Sequence, residues 1–177
     1  MNKNILYLGL VSFFTDFATA MINPILPIFV VYYLHASVEK LGYIVAIATF
    51  VSYIFRIASG YVSDRFAIVK PIVVAGYALS ALSKPLLGFA HTWQSVAALR
   101  ALERLGKAVR SAPKDALISA YATRVGRGFG LHKTLDIAGE LGGSLLLFFV
   151  LHHISQSEET IRLLFFAHSS RASLLFS

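Results

Sequence analysis

One stretch of the sequence gathers ionisable side chains at helical spacing. Arg100, Glu103, Arg104, Lys107, Arg110 and Lys114 recur as i, i+3, i+4, i+7, i+10 and i+14. On an α-helix, at about 100° per residue, they fall within an arc of roughly 120°. Glu103 precedes Lys107 by four residues, the favourable order for a helical ion pair. Mixed charge on one helical face suits two chemistries. It can line a water-accessible cavity that holds a polar solute, or it can form a structural cluster of ion pairs. Arg100, Glu103 and Arg104 lie deep enough in the segment for either, whereas Arg110 and Lys114 read as its charged cytoplasmic end. The opposite face, with Leu102, Leu105 and Val109, suits lipid or a neighbouring helix.

Two further clusters repeat the pattern. His132, Lys133, Asp136 and Glu140 fall within about 100° of a helix, and Gly139 and Gly143 share that side. A small-xxx-small pair admits close approach of a second helix, so this face is expected to pack on a partner while its charges pair across the gap. A direct part in moving a solute or a proton is the other reading. Ser12, Asp16, Thr19 and Asn23 form a narrower polar seam. An acid at Asp16 can carry a proton or bind a cation, or it can simply be held by its Ser and Thr neighbours.

The elements that must carry these residues are apolar. Of 177 residues, 56% are hydrophobic and 14% charged, with a mean hydropathy of +0.68. A soluble domain has about 45–50% apolar and about 25% charged residues, so a soluble single-domain enzyme does not fit. At about 20 residues per membrane-spanning helix, the length allows roughly six spans and little else. They are expected at about 5–34, 41–62, 72–90, 93–112 and 128–151, with an incomplete sixth at 159–177. Pro24 and Pro27 should kink the first span, and Pro113 should end or kink the fourth. Lys84 and Arg56 sit where a long side chain can snorkel to the headgroups. Together these features predict one all-α, polytopic transmembrane helical bundle spanning residues 1–177.

Charge asymmetry orients it. Lys3, Arg65, Lys70, Arg110, Lys114, Arg124 and Arg127 fall at the N-terminus and in or beside the second and fourth connections. The other connections hold only Lys40 among basic residues, so the N-terminus is expected in the cytoplasm. The sequence has no cysteine, which excludes disulfides and thiolate metal sites. His152 and His153 are adjacent and point about 100° apart on a helix, a poor metal pair. H-E-x-x-H, G-x-S-x-G and G-x-x-x-x-G-K are all missing from the sequence. No enzyme chemistry, cofactor or metal is implied, and the basic residues are too dispersed among apolar spans to read nucleic acid.

The connection after the second span reads Gly60-Tyr61-Val62-Ser63-Asp64-Arg65-Phe66-Ala67-Ile68-Val69-Lys70. It resembles the signature loop of the major facilitator superfamily, in the place where that family has it. Ser12 to Asp16 with Pro24-Ile25-Leu26-Pro27 resembles the first span of a bacterial branch of drug-efflux-like permeases. Arg100 to Arg110, followed by Ala112-Pro113-Lys114-Asp115-Ala116-Leu117-Ile118, resembles its fourth span, and Arg127 to Asp136 the start of its fifth. The resemblance covers residues 5 to about 165. The chain differs from the pattern at Ala67, Ile68 and Val69, where the family has glycine and basic residues, and at Ala20, where the branch often has an acid.

The resemblance implies the N-terminal six-helix half of a secondary transporter of small solutes in the bacterial inner membrane. Two such halves enclose the solute path and rock to give alternating access, so a C-terminal half is the implied partner. Spans one and four then line the path, with Asp16, Asn23, Arg100, Glu103, Arg104 and Lys107 facing solute or proton. Gly60, Asp64, Arg65 and Lys70 belong to the gating loop, with Asp64 as the latch between halves and Arg65 in the same network. The family has about twice as many spans, so a truncated chain is expected. The alternative is a membrane remnant that does not transport, or a half-transporter that must pair with another half.

Overall fold

The computed structural model describes residues 3–66, 68–153 and 158–167. These form six α-helices with no strand among them. Helix α1 spans Lys3–Ile28, α2 Val38–Phe66, α3 Val69–Leu86, α4 Trp93–Tyr121, α5 Val125–His153 and α6 Glu158–Ala167. Residues 168–177 of the expected sixth span and the connection residue Ala67 lie outside the described residues. Among the described residues, four stretches are long and apolar enough to cross a membrane: Lys3–Tyr33, Val38–Phe66, Val69–Phe89 and Val125–His153.

Pro24 and Pro27 lie inside α1, and the helix then runs into a π turn, Phe29–Tyr33, where Leu34 N donates to Phe29 O at 3.0 Å. The missing proline donors thus precede a widened turn. Helix α4 does not end at Pro113 but continues to Tyr121. It starts at a capping box, in which Ser95 N donates to Thr92 Oγ1 and Thr92 N to Ser95 Oγ, both at 3.3 Å.

Packing pairs α1 with α5, and α4 with both α2 and α3, while α1 and α4 make few backbone contacts. Glycines create the close pairs. A Cβ on Gly139 would collide with Phe13 O, and one on Gly143 with Phe17 O, so α5 lies directly on the backbone of α1. Gly76 and Gly106 do the same for α3 and α4: a Cβ on either would sit 2.7 Å from the carbonyl oxygen of the other. An apolar core lies toward the far end of the bundle from the N-terminus, built on Ile22, Ile25, Phe29, Val30, Leu87, Val96, Ile161 and Phe165. Phe29 and Phe165 meet edge to face with centroids 5.4 Å apart, which ties α6 to the end of α1.

Helices α2 and α5 are the outer ones, with 11% and 22% of their apolar windows buried. Ile47, Phe50, Ile54, Ile57, Leu141, Leu145 and Phe148 are exposed on them. In water such surface would drive aggregation; in a bilayer it is where lipid or another helix belongs.

Candidate functional site

The space between α1 and α4 is closed by side chains rather than by backbone. Arg100 forms an ion pair with Glu103 through Nη1 and donates from Nη2 to Asn23 Oδ1 at 2.7 Å. Thr19 Oγ1, which donates to Thr15 O at 2.9 Å, also lies 3.4 Å from Glu103 Oε1. One helical level lower, Lys107 Nζ pairs with Asp16 Oδ1 at 2.9 Å. Lower again, Lys114 Nζ donates to Ser12 Oγ at 3.3 Å and stands 3.8 Å from Asp136 Oδ2. The seam predicted on α1 and the charged stripe predicted on α4 therefore meet.

The pairs differ in accessibility. The side chains of Arg100 and Glu103 are 6% and 4% exposed, whereas Lys107 is 36% exposed beside an Asp16 at 5%. Asn23 is exposed and Arg104 half-buried. Arg104 has no hydrogen-bond or ion-pair partner among the described residues, although it lies within the electrostatic reach of Arg100, Glu103 and Asp16. The seam is thus sealed at Glu103 and open along Asn23, Arg104 and Lys107.

Helix α3 completes the network and was not foreseen there. Lys84, expected to snorkel, is 4% exposed and donates to Thr15 O at 2.9 Å. Tyr77 Oη donates to Ser12 Oγ at 3.2 Å, and Ser80 Oγ to Glu103 O at 3.0 Å. Arg110, read as part of a charged helix end, is 2% exposed. Its Nη1 donates to Ser80 Oγ at 2.9 Å, and its guanidinium stacks 4.2 Å from the Tyr77 ring centroid. Lys114 is likewise drawn inward rather than placed at a solvated end. The sequence did carry a signal: Tyr77, Ser80 and Lys84 recur as i, i+3 and i+7. Arg56, the other expected snorkeller, is exposed and donates from Nε to Ser111 Oγ at 2.9 Å, which links α2 to α4.

The cluster on α5 divides. His132 and Asp136 are buried, with His132 Nδ1 3.5 Å from Asp136 Oδ1. Buried His132 Nε2 lacks a hydrogen-bond partner among the described residues. Lys133 and Glu140 are exposed and do not pair across the gap, which corrects the expectation of one four-residue face. The reason is angular. From His132 the buried positions Asp136, Gly139, Gly143 and Leu147 lie within about 60°, while Glu140 and Lys133 lie at about 80° and 100°. Close approach at the glycines buries only the narrower strip.

The residues expected to form the gating loop lie at the end of α2 and the start of α3. A Cβ on Gly60 would meet Ala112 at an ordinary 3.5 Å, and Asp64, Arg65 and Lys70 are exposed. Arg65 does not join Asp64: its Nη1 donates to Tyr61 Oη at 2.6 Å, and the guanidinium lies over Phe66. Lys70 lines an open cavity of about 290 Å³ with Asn4, Tyr7, Leu8, Val73, Leu117 and Tyr121. That cavity gathers the start of α1, the start of α3 and the end of α4 at one end of the bundle.

Comparison with known proteins decides the family. The model of the Major Facilitator Superfamily matches residues 8–170. The chain belongs to this superfamily. It is an integral membrane protein with an all-α fold, consistent with one half of that architecture. An uncharacterized MFS-type transporter of Methanocaldococcus jannaschii is 38% identical over 154 residues, covering 86% of the chain and 38% of the relative. Uncharacterized proteins of Mycobacterium bovis and Mycobacterium tuberculosis are each 39% identical over 116 residues, covering 62% of the chain and 28% of the relative. The chain thus spans less than half the length of these curated relatives.

Proposed function

We propose that this chain supplies the N-terminal half of a secondary active transporter that moves a small solute by alternating access. The observation that carries the reading is the α1–α4 seam, where Asp16–Lys107 and Asn23–Arg100–Glu103 bridge two helices that scarcely touch through their backbones. Charged side chains within membrane-spanning helices are costly, at least about 2.5–3.5 kcal/mol each at a helix centre on insertion scales. A set that is paired yet reachable at Lys107 suits a path better than a purely structural lock. Asp16 is the proton site in this reading. Proton uptake there frees Lys107, and solute binding competes for the same cation. His132 and Asp136 extend the polar path toward the cytoplasmic end, and Asp64 acts as the latch to the second half.

The orientation follows from charge. Lys70, Arg124 and Arg127 sit at the end where the N-terminus lies, which supports a cytoplasmic N-terminus in an inner membrane. A second reading, a half that must pair, is favoured by the exposed apolar faces of α2 and α5 and by the greater length of the relatives.

Reconstitution tests both. The chain is placed in proteoliposomes holding a pH-sensitive dye, alone and together with a C-terminal half taken from a relative, and challenged with a solute panel. Solute-dependent proton movement that appears only with the second half, and is lost in Asp16→Asn and Asp64→Ala, is the expected result. Undiminished movement in both variants would remove these residue roles. No movement with any second half, together with rapid degradation of the unpaired chain in cells, would leave the remnant reading.

A further inference from the structure

The interior charges do not balance. Helices α1, α3, α4 and α5 bring together the cations Lys84, Arg100, Arg104, Lys107, Arg110 and Lys114, but only the acids Asp16, Glu103 and Asp136. Each acid faces one lysine or arginine: Glu103 faces Arg100, Asp16 faces Lys107 and Asp136 faces Lys114, with His132 also beside Asp136. Two of the remaining cations have neutral partners. Lys84 is held by the Thr15 carbonyl, and Arg110 by Ser80 and the Tyr77 ring. Arg104 has neither kind among the described residues. It sits eleven residues into α4 after Trp93, about 17 Å along the axis and well away from either end of the helix. A half-buried guanidinium at that depth needs a counter-charge, and the seam is open there, with Lys107 half-exposed and Asn23 exposed beside it.

Resting on the transporter reading, we infer that the solute is an organic oxyanion, a carboxylate or phosphate ester, held by Arg104 with help from Lys107 and Asn23. The chemistry fits each group. Guanidinium is planar and offers parallel N–H donors that match a carboxylate or phosphate in bidentate fashion. Lys107 supplies a second, mobile positive charge that is shared with Asp16. Asn23 accepts from Arg100 through its amide oxygen, which leaves its amide N–H donors for a ligand. A cationic solute would meet three positive charges, Arg100, Arg104 and Lys107, against two acids that are both already paired.

The test uses the chain in phosphatidylcholine nanodiscs and reads thermal unfolding at constant ionic strength. The probes are succinate, benzoate, glycerol 3-phosphate and the lipophilic cation tetraphenylphosphonium. At least one oxyanion should raise the unfolding temperature, and the carboxylate and phosphate arms identify which class binds. Arg104→Gln should weaken that anion's apparent affinity at least about tenfold, as loss of a charge-assisted bidentate contact does. Arg104→Lys should keep part of it, and Lys133→Gln on the outer face of α5 should leave it unchanged. Without anion, Arg104→Gln should be no less stable than wild type, because it removes an unpaired charge. Stabilisation by tetraphenylphosphonium alone overturns the anion assignment and leaves transport standing. An anion shift undiminished in Arg104→Gln overturns the role of Arg104, and no shift with any oxyanion overturns the proposal. Should Arg104→Gln fail to fold, the charge selectivity of the wild type and the Arg104→Lys response still decide.

Discussion

Helix α1 meets two neighbours in opposite ways. Against α5 it presents bare backbone: Phe13 O and Phe17 O lie where Gly139 and Gly143 leave no side chain. Against α4 it presents polar side chains across a gap, through Asn23, Thr19, Asp16 and Ser12. At the glycines the first contact is made of dispersion between close-packed backbones. The second is made of ion pairs and hydrogen bonds between side chains, one of them partly solvated at Lys107. A helix fastened on one side and bridged on the other can line a path without losing its place in the bundle. The α3–α4 contact combines both devices, since Gly76 and Gly106 bring the backbones together and Arg110, Ser80 and Tyr77 lock them.

The contrast can be broken at either contact. The largest effect is expected inside the bridged seam at its sealed end. Glu103→Ala strands a buried Arg100 and should cost about 3–5 kcal/mol, read as a lower unfolding temperature in nanodiscs. Replacing both partners, Arg100→Met with Glu103→Leu, should recover most of that loss while abolishing transport. Failure to recover would mean that the bridge is itself a required structural contact. Next comes Gly143→Val, which pushes a branched side chain into Phe17 O and should cost about 1–3 kcal/mol or more. Gly126→Val, with nothing within 4 Å of its Cβ, is the matched control and should be neutral.

Smaller still is the effect of Asp16→Asn. Lys107 is partly solvated, so the change should cost less than about 1 kcal/mol in stability. The same variant should uncouple solute movement from protons in the dye assay, and this split between stability and function is what separates a path residue from a lock. The smallest effects belong to Lys133→Gln and Glu140→Gln. Both lie outside the buried strip of α5 and should stay within about 0.5 kcal/mol of wild type. A larger loss in either would return them to the interior face that their spacing first suggested.

Much of the seam was legible from spacing. Asp16, Thr19 and Asn23 on one segment, and Arg100, Glu103 and Lys107 on another, each fall on one side of a helix wherever that helix packs. Spacing failed where it had to supply an environment as well as a direction. Lys84 and a snorkelling lysine look identical in sequence, since both are lysines near the end of an apolar run; only the approach of α1 supplies the Thr15 carbonyl that holds it inside. Arg110 and Lys114 were legible as charges at a helix end, but α4 continues past Pro113 and buries them against α3 and α5. On α5 the angular width of the buried face depends on how near the glycines let α1 come, which no periodicity contains.

The sequence by itself determined the solvent and the class of fold. These follow from composition, from the length of the apolar runs and from the helical repeat, all of which are local properties. The tertiary structure alone decided the pairing of Asp16 with Lys107, the recruitment of α3 and the isolation of Arg104. Each of these depends on contacts between helices tens of residues apart, and it is close packing at glycines that sets which of them meet.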